Sequence, residues 1–144
     1  MLHPPATAYD VARTPPNALS CVLQVTDAQG HRLLLAGDIA TAQEAALVAA
    51  DVQSLRSELL LVPHHGSRGS SSPVFLDAVA PAVALVQAGH HNRFGHPAPE
   101  VLHRLGARGI DVVQSPGCGA WRWREGQASC EREIRPRYWR HGSR

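Results

Sequence analysis

Leu59-Leu60-Leu61-Val62-Pro63-His64-His65-Gly66-Ser67 is the stretch on which the reading of this chain turns. Four apolar residues in a row, stopped by a proline, mark a short strand buried on both faces, as in a parallel sheet covered by helices. Two imidazoles and a glycine follow, so the strand runs into a loop shaped around titratable side chains. The same pattern recurs on either side. Arg32-Leu33-Leu34-Leu35-Ala36 runs into Gly37-Asp38, and Val83-Ala84-Leu85-Val86 runs into a loop with His90, His91 and His96. Residues beyond the C-terminal ends of strands line the crevice where open α/β sheets bind ligands. Asp38, His64, His65 and His96 are therefore expected to converge on one edge. Asp, His and His from three strand ends form a donor set for zinc or manganese.

Each of these residues also has an ordinary role. An aspartate after a strand commonly makes a turn or caps a helix. Of the adjacent pair His64 and His65, one can be a ligand and the other its hydrogen-bonding neighbour; the sequence leaves the choice open. Gly95 and Pro97 frame His96 and hold its ring direction. His90 and His91 read as surface residues, and His3, His31, His103 and His141 carry no signal.

Outward from the centre, residues 1–16 hold four prolines and no periodicity, an irregular lead-in. Ser20 to Val25 and Arg32 to Ala36 read as a hairpin closed through Asp27-Ala28-Gln29-Gly30. Thr41 is expected to cap a helix that runs to about Asp51 to Ser54. Ser72 is expected to cap a second helix with Pro73 at its first position. A third spans Pro99 to Ala107 with Val101, Leu102 and Leu105 inward. Ile110 to Val113 and Ala120 to Arg124 complete the strands, the last with Trp121 and Trp123 on one face and Arg122 and Arg124 on the other. This order predicts an α/β (α+β) fold, a mixed sheet with helices on one face. The boundaries expected are 17–130 for the folded part and 131–144 for a basic tail.

The 144 residues, 44% hydrophobic, suffice for one domain with a real core. No run approaches the roughly 18 to 20 apolar residues of a membrane span, and the first residues lack a signal-peptide pattern, so the chain reads as soluble. All 14 basic residues are arginine. From Trp121 onward there are seven against three glutamates, an excess of four. Arg132, Arg135, Arg137 and Arg140 could thus contact nucleic acid or simply be solvated. Cys21 reads as a small core residue. Cys118 and Cys130 flank the last hairpin and can meet as a disulfide, although an odd count of three points to free thiols.

Leu34-Leu35-Ala36-Gly37-Asp38-Ile39, then Leu61-Val62-Pro63-His64-His65-Gly66-Ser67-Arg68 with Ser70-Ser71-Ser72 behind it, then Ala88-Gly89-His90-His91-Asn92-Arg93-Phe94-Gly95-His96-Pro97, closely resemble the C-terminal portion of the ComEC family. The resemblance runs from about Asn17 to Val113. It implies a metallo-β-lactamase fold, attached in the parent protein to a bacterial inner-membrane channel that imports single-stranded DNA, with this domain as a soluble appendage degrading the other strand. It further implies Asp38 as a metal-bridging ligand, His96 as the late histidine ligand, and His64 or His65 as a ligand or general acid. Ser67, Arg68 and Arg93 would contact the substrate phosphate.

Two departures qualify what is carried over. The early His-x-His-x-Asp-His-type motif of that fold does not occur, and Cys118-Gly119 stands where the family often has an acidic residue before glycine. The chain is thus expected to be the C-terminal half of an αβ/βα sandwich with an incomplete metal site. Its expected partners are DNA, the missing N-terminal half with the membrane channel, and a second copy through the exposed half-sandwich face. Three functions follow: part of a metal-dependent DNA nuclease, inactive alone; a non-catalytic module that binds DNA or a partner; or a binuclear hydrolase of another substrate.

Overall fold

The computed structural model describes residues 1–10, 13–124 and 127–137. Its centre is a five-stranded sheet whose spatial order follows the chain: β1 (Leu23–Thr26), β2 (Arg32–Leu35), β3 (Leu59–Leu61), β4 (Val83–Val86) and β5 (Asp111–Gln114). β1 and β2 form an antiparallel hairpin. Its turn is closed by Gly30 N–H donating to Asp27 O at 3.1 Å, while the Asp27 carboxylate accepts from the amides of Gln29 and His31. From β2 to β5 every pairing is parallel, so each step needs a crossover. α1 (Thr41–Asp51), α2 (Pro73–Val79) and α3 (Pro99–Gly106) supply them. The sheet is mixed, as the order of elements predicts.

Alternation along the strands separates two faces. Leu34, Leu60, Ala84 and Val112 lie in register across β2 to β5. The first three are buried in one cluster with Leu47 of α1, Phe75, Leu76 and Val79 of α2, and Val101 and Leu105 of α3, and Val112 packs against it. All three crossover helices therefore cover the same face. The opposite face carries Leu23, Leu35, Leu61, Leu85 and Val113, also in register and also apolar. These remain half-buried or exposed, Leu23 by 38%, and Val25 beside them by 49%.

α1 is capped differently from the sequence reading. Ala40 is its cap residue, the Gln43 side chain accepts from the Ala40 amide at 3.3 Å, and Thr41 is the first helical residue, its hydroxyl donating to Gly69 O. Ser72 does cap α2, accepting from the Phe75 amide, with Pro73 at the first position. Glu44, in the first turn of α1, is fully buried. Its two carboxylate oxygens accept from the Ser71 and Ser72 amides at 2.5 and 2.8 Å, so the charge is met by backbone donors at the start of α2.

After β5, the short α4 (Ser115–Cys118) leads to a second, two-stranded sheet of β6 (Trp121–Arg124) and β7 (Gln127–Cys130), then α5 (Glu131–Ile134). Trp121 and Trp123 are half-buried while Arg122 and Arg124 are exposed, matching the alternation. The cysteine reading is corrected twice. Cys118 and Cys130 form a disulfide, because β7 returns to the start of β6 and Cys130 stands opposite Trp121, close to Cys118. Cys21 is exposed: its neighbour Val22 points into the core, which turns Cys21 to the other side. His3, passed over in the sequence, is buried with Nε2 2.8 Å from Ala18 O, and it bridges to Val22 at the sheet edge. Arg132 donates to Pro116 O and so ties α5 to α4, and Arg135 pairs with Glu131. Arg140 and His141 of the basic tail lie outside the described residues. Among the described residues, no helix is long and apolar enough to cross a membrane.

Candidate metal-binding site at the strand ends

The loops after β2, β3 and β4 are joined to one another by backbone hydrogen bonds. His64 N–H donates to Gly37 O at 2.9 Å, linking the first loop to the second. Ala98 N–H donates to Gly66 O at 2.8 Å, linking the second to the third. The second loop is bent to make this fit. His64 and His65 both lie in the left-handed region, with φ of 51° and 55°. Non-glycine residues are held there only when the surroundings impose it, at about 1 to 3 kcal/mol each, and such strain gathers at functional sites.

The bend brings His65 Nε2 to 3.5 Å from Asp38 Oδ1. At its other nitrogen, His65 Nδ1 lies 2.7 Å from Gln87 O. A carbonyl only accepts, so Nδ1 carries a proton and Nε2 is the ring atom that faces Asp38. This is the arrangement by which outer partners orient a metal-ligating imidazole. His64 takes a different place: Asn17 Nδ2 donates to its Nε2 at 3.4 Å, and its ring meets that of His96 edge-on at 6.2 Å. Of the adjacent pair, His65 is thus the one beside Asp38.

His96 is held by Asn92, whose amide accepts from His96 N–H at 3.0 Å and donates to His96 O at 2.6 Å. Its ring stacks on Phe94 and its Nδ1 is buried without a hydrogen-bond partner among the described residues. Partial burial, followed by the nearby His64 and His65, lowers its pKa below the ordinary imidazole value, which favours the neutral, metal-ligating form. The three donors do not close on one point: among the described residues, no group of three or more His, Cys, Asp or Glu side chains could together hold a metal ion. Asp38 and His65 are adjacent, and the buried His96 Nδ1 stands apart from them.

Of the phosphate-contacting candidates, Arg68 pairs with Glu100 of α3 at 3.0 Å. Ser67 is half-buried beneath the His64 carbonyl that its amide bonds. Arg93 is exposed, its guanidinium 4.8 Å from the centre of the Phe94 ring. His90 and His91 are exposed. The sequence reading missed Gln87, which acts through its main-chain carbonyl and leaves no side-chain signal, and Asn17, which is distant in sequence. Asn92 and Phe94 stood in a quoted motif without a role. Ser70 likewise stood in a quoted motif without a role: its buried hydroxyl is shared between Pro63 O and Ser67 O and supports the histidine loop.

This site belongs to a chain with clear relatives. Competence protein ComA of Neisseria gonorrhoeae is 42% identical over 104 residues, 72% of this chain and 15% of that protein. The uncharacterized protein YcaI of Escherichia coli (strain K12) is 35% identical over 130 residues, 85% of this chain and 17% of its own length. The ComE operon protein 3 of Bacillus subtilis (strain 168) is 34% identical over 71 residues, 49% of this chain. The chain is a relative of competence proteins. It spans about a sixth of the length of the first two of these curated relatives. No protein-family model matches it.

Proposed function

We propose that this chain is part of a metal-dependent phosphodiesterase of the metallo-β-lactamase fold that acts on DNA in a competence DNA-uptake protein, with some of its metal ligands coming from outside these residues. The observation that carries the reading is the Asp38–His65 pair: a carboxylate beside Nε2 of an imidazole whose other nitrogen is fixed on a backbone carbonyl. In this reading Asp38 and His65 hold zinc or manganese, His96 contributes its neutral ring, and His64 lines the site as a proton donor. Divalent cations bound there supply charge that stabilises the oxygens of a phosphodiester as it is displaced. Arg93, exposed at the rim, and Ser67 and Arg68 of the histidine loop meet the substrate phosphate. The apolar outer face of the sheet, led by Leu23, Leu35, Leu61 and Leu85, receives the rest of the sandwich. The longer protein lies in the bacterial inner membrane beside its channel.

The test is metal-dependent DNA cleavage by a protein with the full length of the competence relatives. Asp38→Asn is nearly isosteric but removes the charge that offsets the cations, so it should lower the rate about 100- to 1,000-fold. His90→Gln should leave it unchanged. Equal rates in all three proteins would overturn the assignment of Asp38. A second reading, a module that binds DNA without cutting it, is favoured by the lack of a three-donor group among the described residues. It predicts DNA binding by the full-length protein with no cleavage at any metal concentration.

A further inference from the structure

A cavity of about 450 Å³ opens beside the Asp38–His65 pair, with His65, Ala88, Asn92, Phe94, His96 and Ser115 among its walls. Phe94 is the unusual member. It is 67% exposed, although burying such a ring would be strongly favourable. The loop is not loose enough to explain this, because Asn92 clamps both main-chain groups of His96 and also donates to Gly89 O. The phenyl ring is therefore held out at the cavity rim. His96 stacks against it at 5.8 Å between centres and 20° between planes, an offset contact that leaves much of the ring uncovered. The Arg93 guanidinium lies over the ring at 4.8 Å, the kind of cover that another flat π system can replace.

Apart from His96 Nδ1 and His65 Nε2, most polar groups of the cavity are already engaged. The Ser115 hydroxyl donates to Ala88 O at 2.9 Å and accepts from Ala88 N–H at 3.1 Å. Both ends of the Asn92 amide bond the loop. His65 Nδ1 is taken by Gln87 O. The cavity thus offers a flat apolar platform and few free donors or acceptors, which suits recognition of a ring by its face.

We propose that this cavity is a binding site for one unpaired nucleobase of a nucleic-acid strand, stacked on Phe94 without regard to base identity. The ligand class rests on the nucleic-acid reading above. The base displaces Arg93 from the ring and frees its guanidinium for the adjoining phosphate. Because His65 is both a wall of the cavity and the neighbour of Asp38, a base seated here brings its phosphodiester to the candidate metal site. A base paired in a duplex cannot enter, so the site selects single strands.

The experiment uses the 144-residue chain with EDTA present, so that neither metal binding nor cleavage enters the readout. Fluorescence anisotropy is followed with a labelled oligothymidylate, an abasic strand of the same phosphate number, and a duplex. Phe94→Ala should weaken the oligothymidylate about tenfold or more, as expected for one lost base–aromatic stack. Phe94→Trp should restore it. The abasic strand and the duplex should bind wild type and Phe94→Ala equally. Unchanged oligothymidylate binding by Phe94→Ala overturns the proposal, as does an equal loss on the abasic strand, which would make Phe94 only a support for the loop. Thymidine monophosphate should compete more weakly than the strand; tighter binding would assign the cavity to free nucleotides and overturn the strand. Should Asp38→Asn leave cleavage unchanged, the nuclease reading fails while the Phe94 result still stands or falls alone.

Discussion

Gly66 has no room for a side chain. Its φ is +80°, and a Cβ there would lie 2.7 Å from Pro97 Cβ, so an alanine must both adopt a left-handed conformation and push away the loop that carries His96. Gly66→Ala should destabilise the fold by about 1 to 3 kcal/mol, read as a lower urea midpoint; an unchanged midpoint would mean that the loops after β3 and β4 adjust independently. At Asp38 and His65 the expectation concerns metal. Two adjacent donors and a third apart from them form an open site, so calorimetry with zinc or manganese on the chain should give micromolar affinity or weaker, abolished by His65→Ala. Tight uptake of two ions per chain would show that the donors present suffice.

Between elements, Glu44 joins α1 to the start of α2 by bonds to two amides, and Arg104 of α3 donates to Ser70 O and Ser71 O from the other side. Removing a buried charge's partners, or the charge itself, leaves polar groups without water. Glu44→Ala should cost about 3 kcal/mol or more by strandings of this kind, and Glu44→Gln less, since it retains one acceptor; equal, small losses in thermal unfolding would contradict the role. Glu58 links β2 to the entry of β3. The Arg32 amide donates to its carboxylate at 2.6 Å, chiefly for which reason its pKa lies below the ordinary 4.5. A lowered folded-state pKa stabilises above the ordinary value and is lost as pH falls through the folded one. The acid-side loss of stability below pH 4.5 should therefore be shallower in Glu58→Gln than in wild type; superimposable curves would discount the bond. Much at this scale was legible. The apolar runs at Leu33 to Leu35, Leu59 to Leu61 and Val83 to Val86 are strands because no other element buries such short runs, and Ser72-Pro73 names its helix start by chemistry. What was not legible depends on register or main chain. Thr41 looked like a cap but serves Gly69, the cysteine count said nothing of where β7 returns, and that His65 rather than His64 stands beside Asp38 goes with the Gly37–His64 backbone bond, which no side chain announces.

As a whole, the molecule is a sheet with helices on one side and apolar residues on both. On the face without crossover helices Leu23 and Val25 are exposed and Leu35, Leu61, Leu85 and Val113 are half-buried, and apolar surfaces of this kind are rarely left to water. The 144-residue chain on its own should therefore self-associate, with sedimentation velocity showing species heavier than 15.5 kDa that increase with concentration. Leu23→Lys with Val25→Lys, at the exposed edge strand, should shift it to monomer. A clean wild-type monomer at all concentrations would mean that this face is stable in water.

The cross-link between Cys118 and Cys130 also speaks to geography. Bacterial cytosol keeps thiols reduced, whereas the space beyond the inner membrane oxidises them. A bridge that closes β6, β7 and α5 into one clasp makes the chain a reporter of the side on which it matured. Alkylation in intact cells before lysis should label Cys21 and spare the other two cysteines if the domain faces outward, and label all three if it folds in the reducing interior.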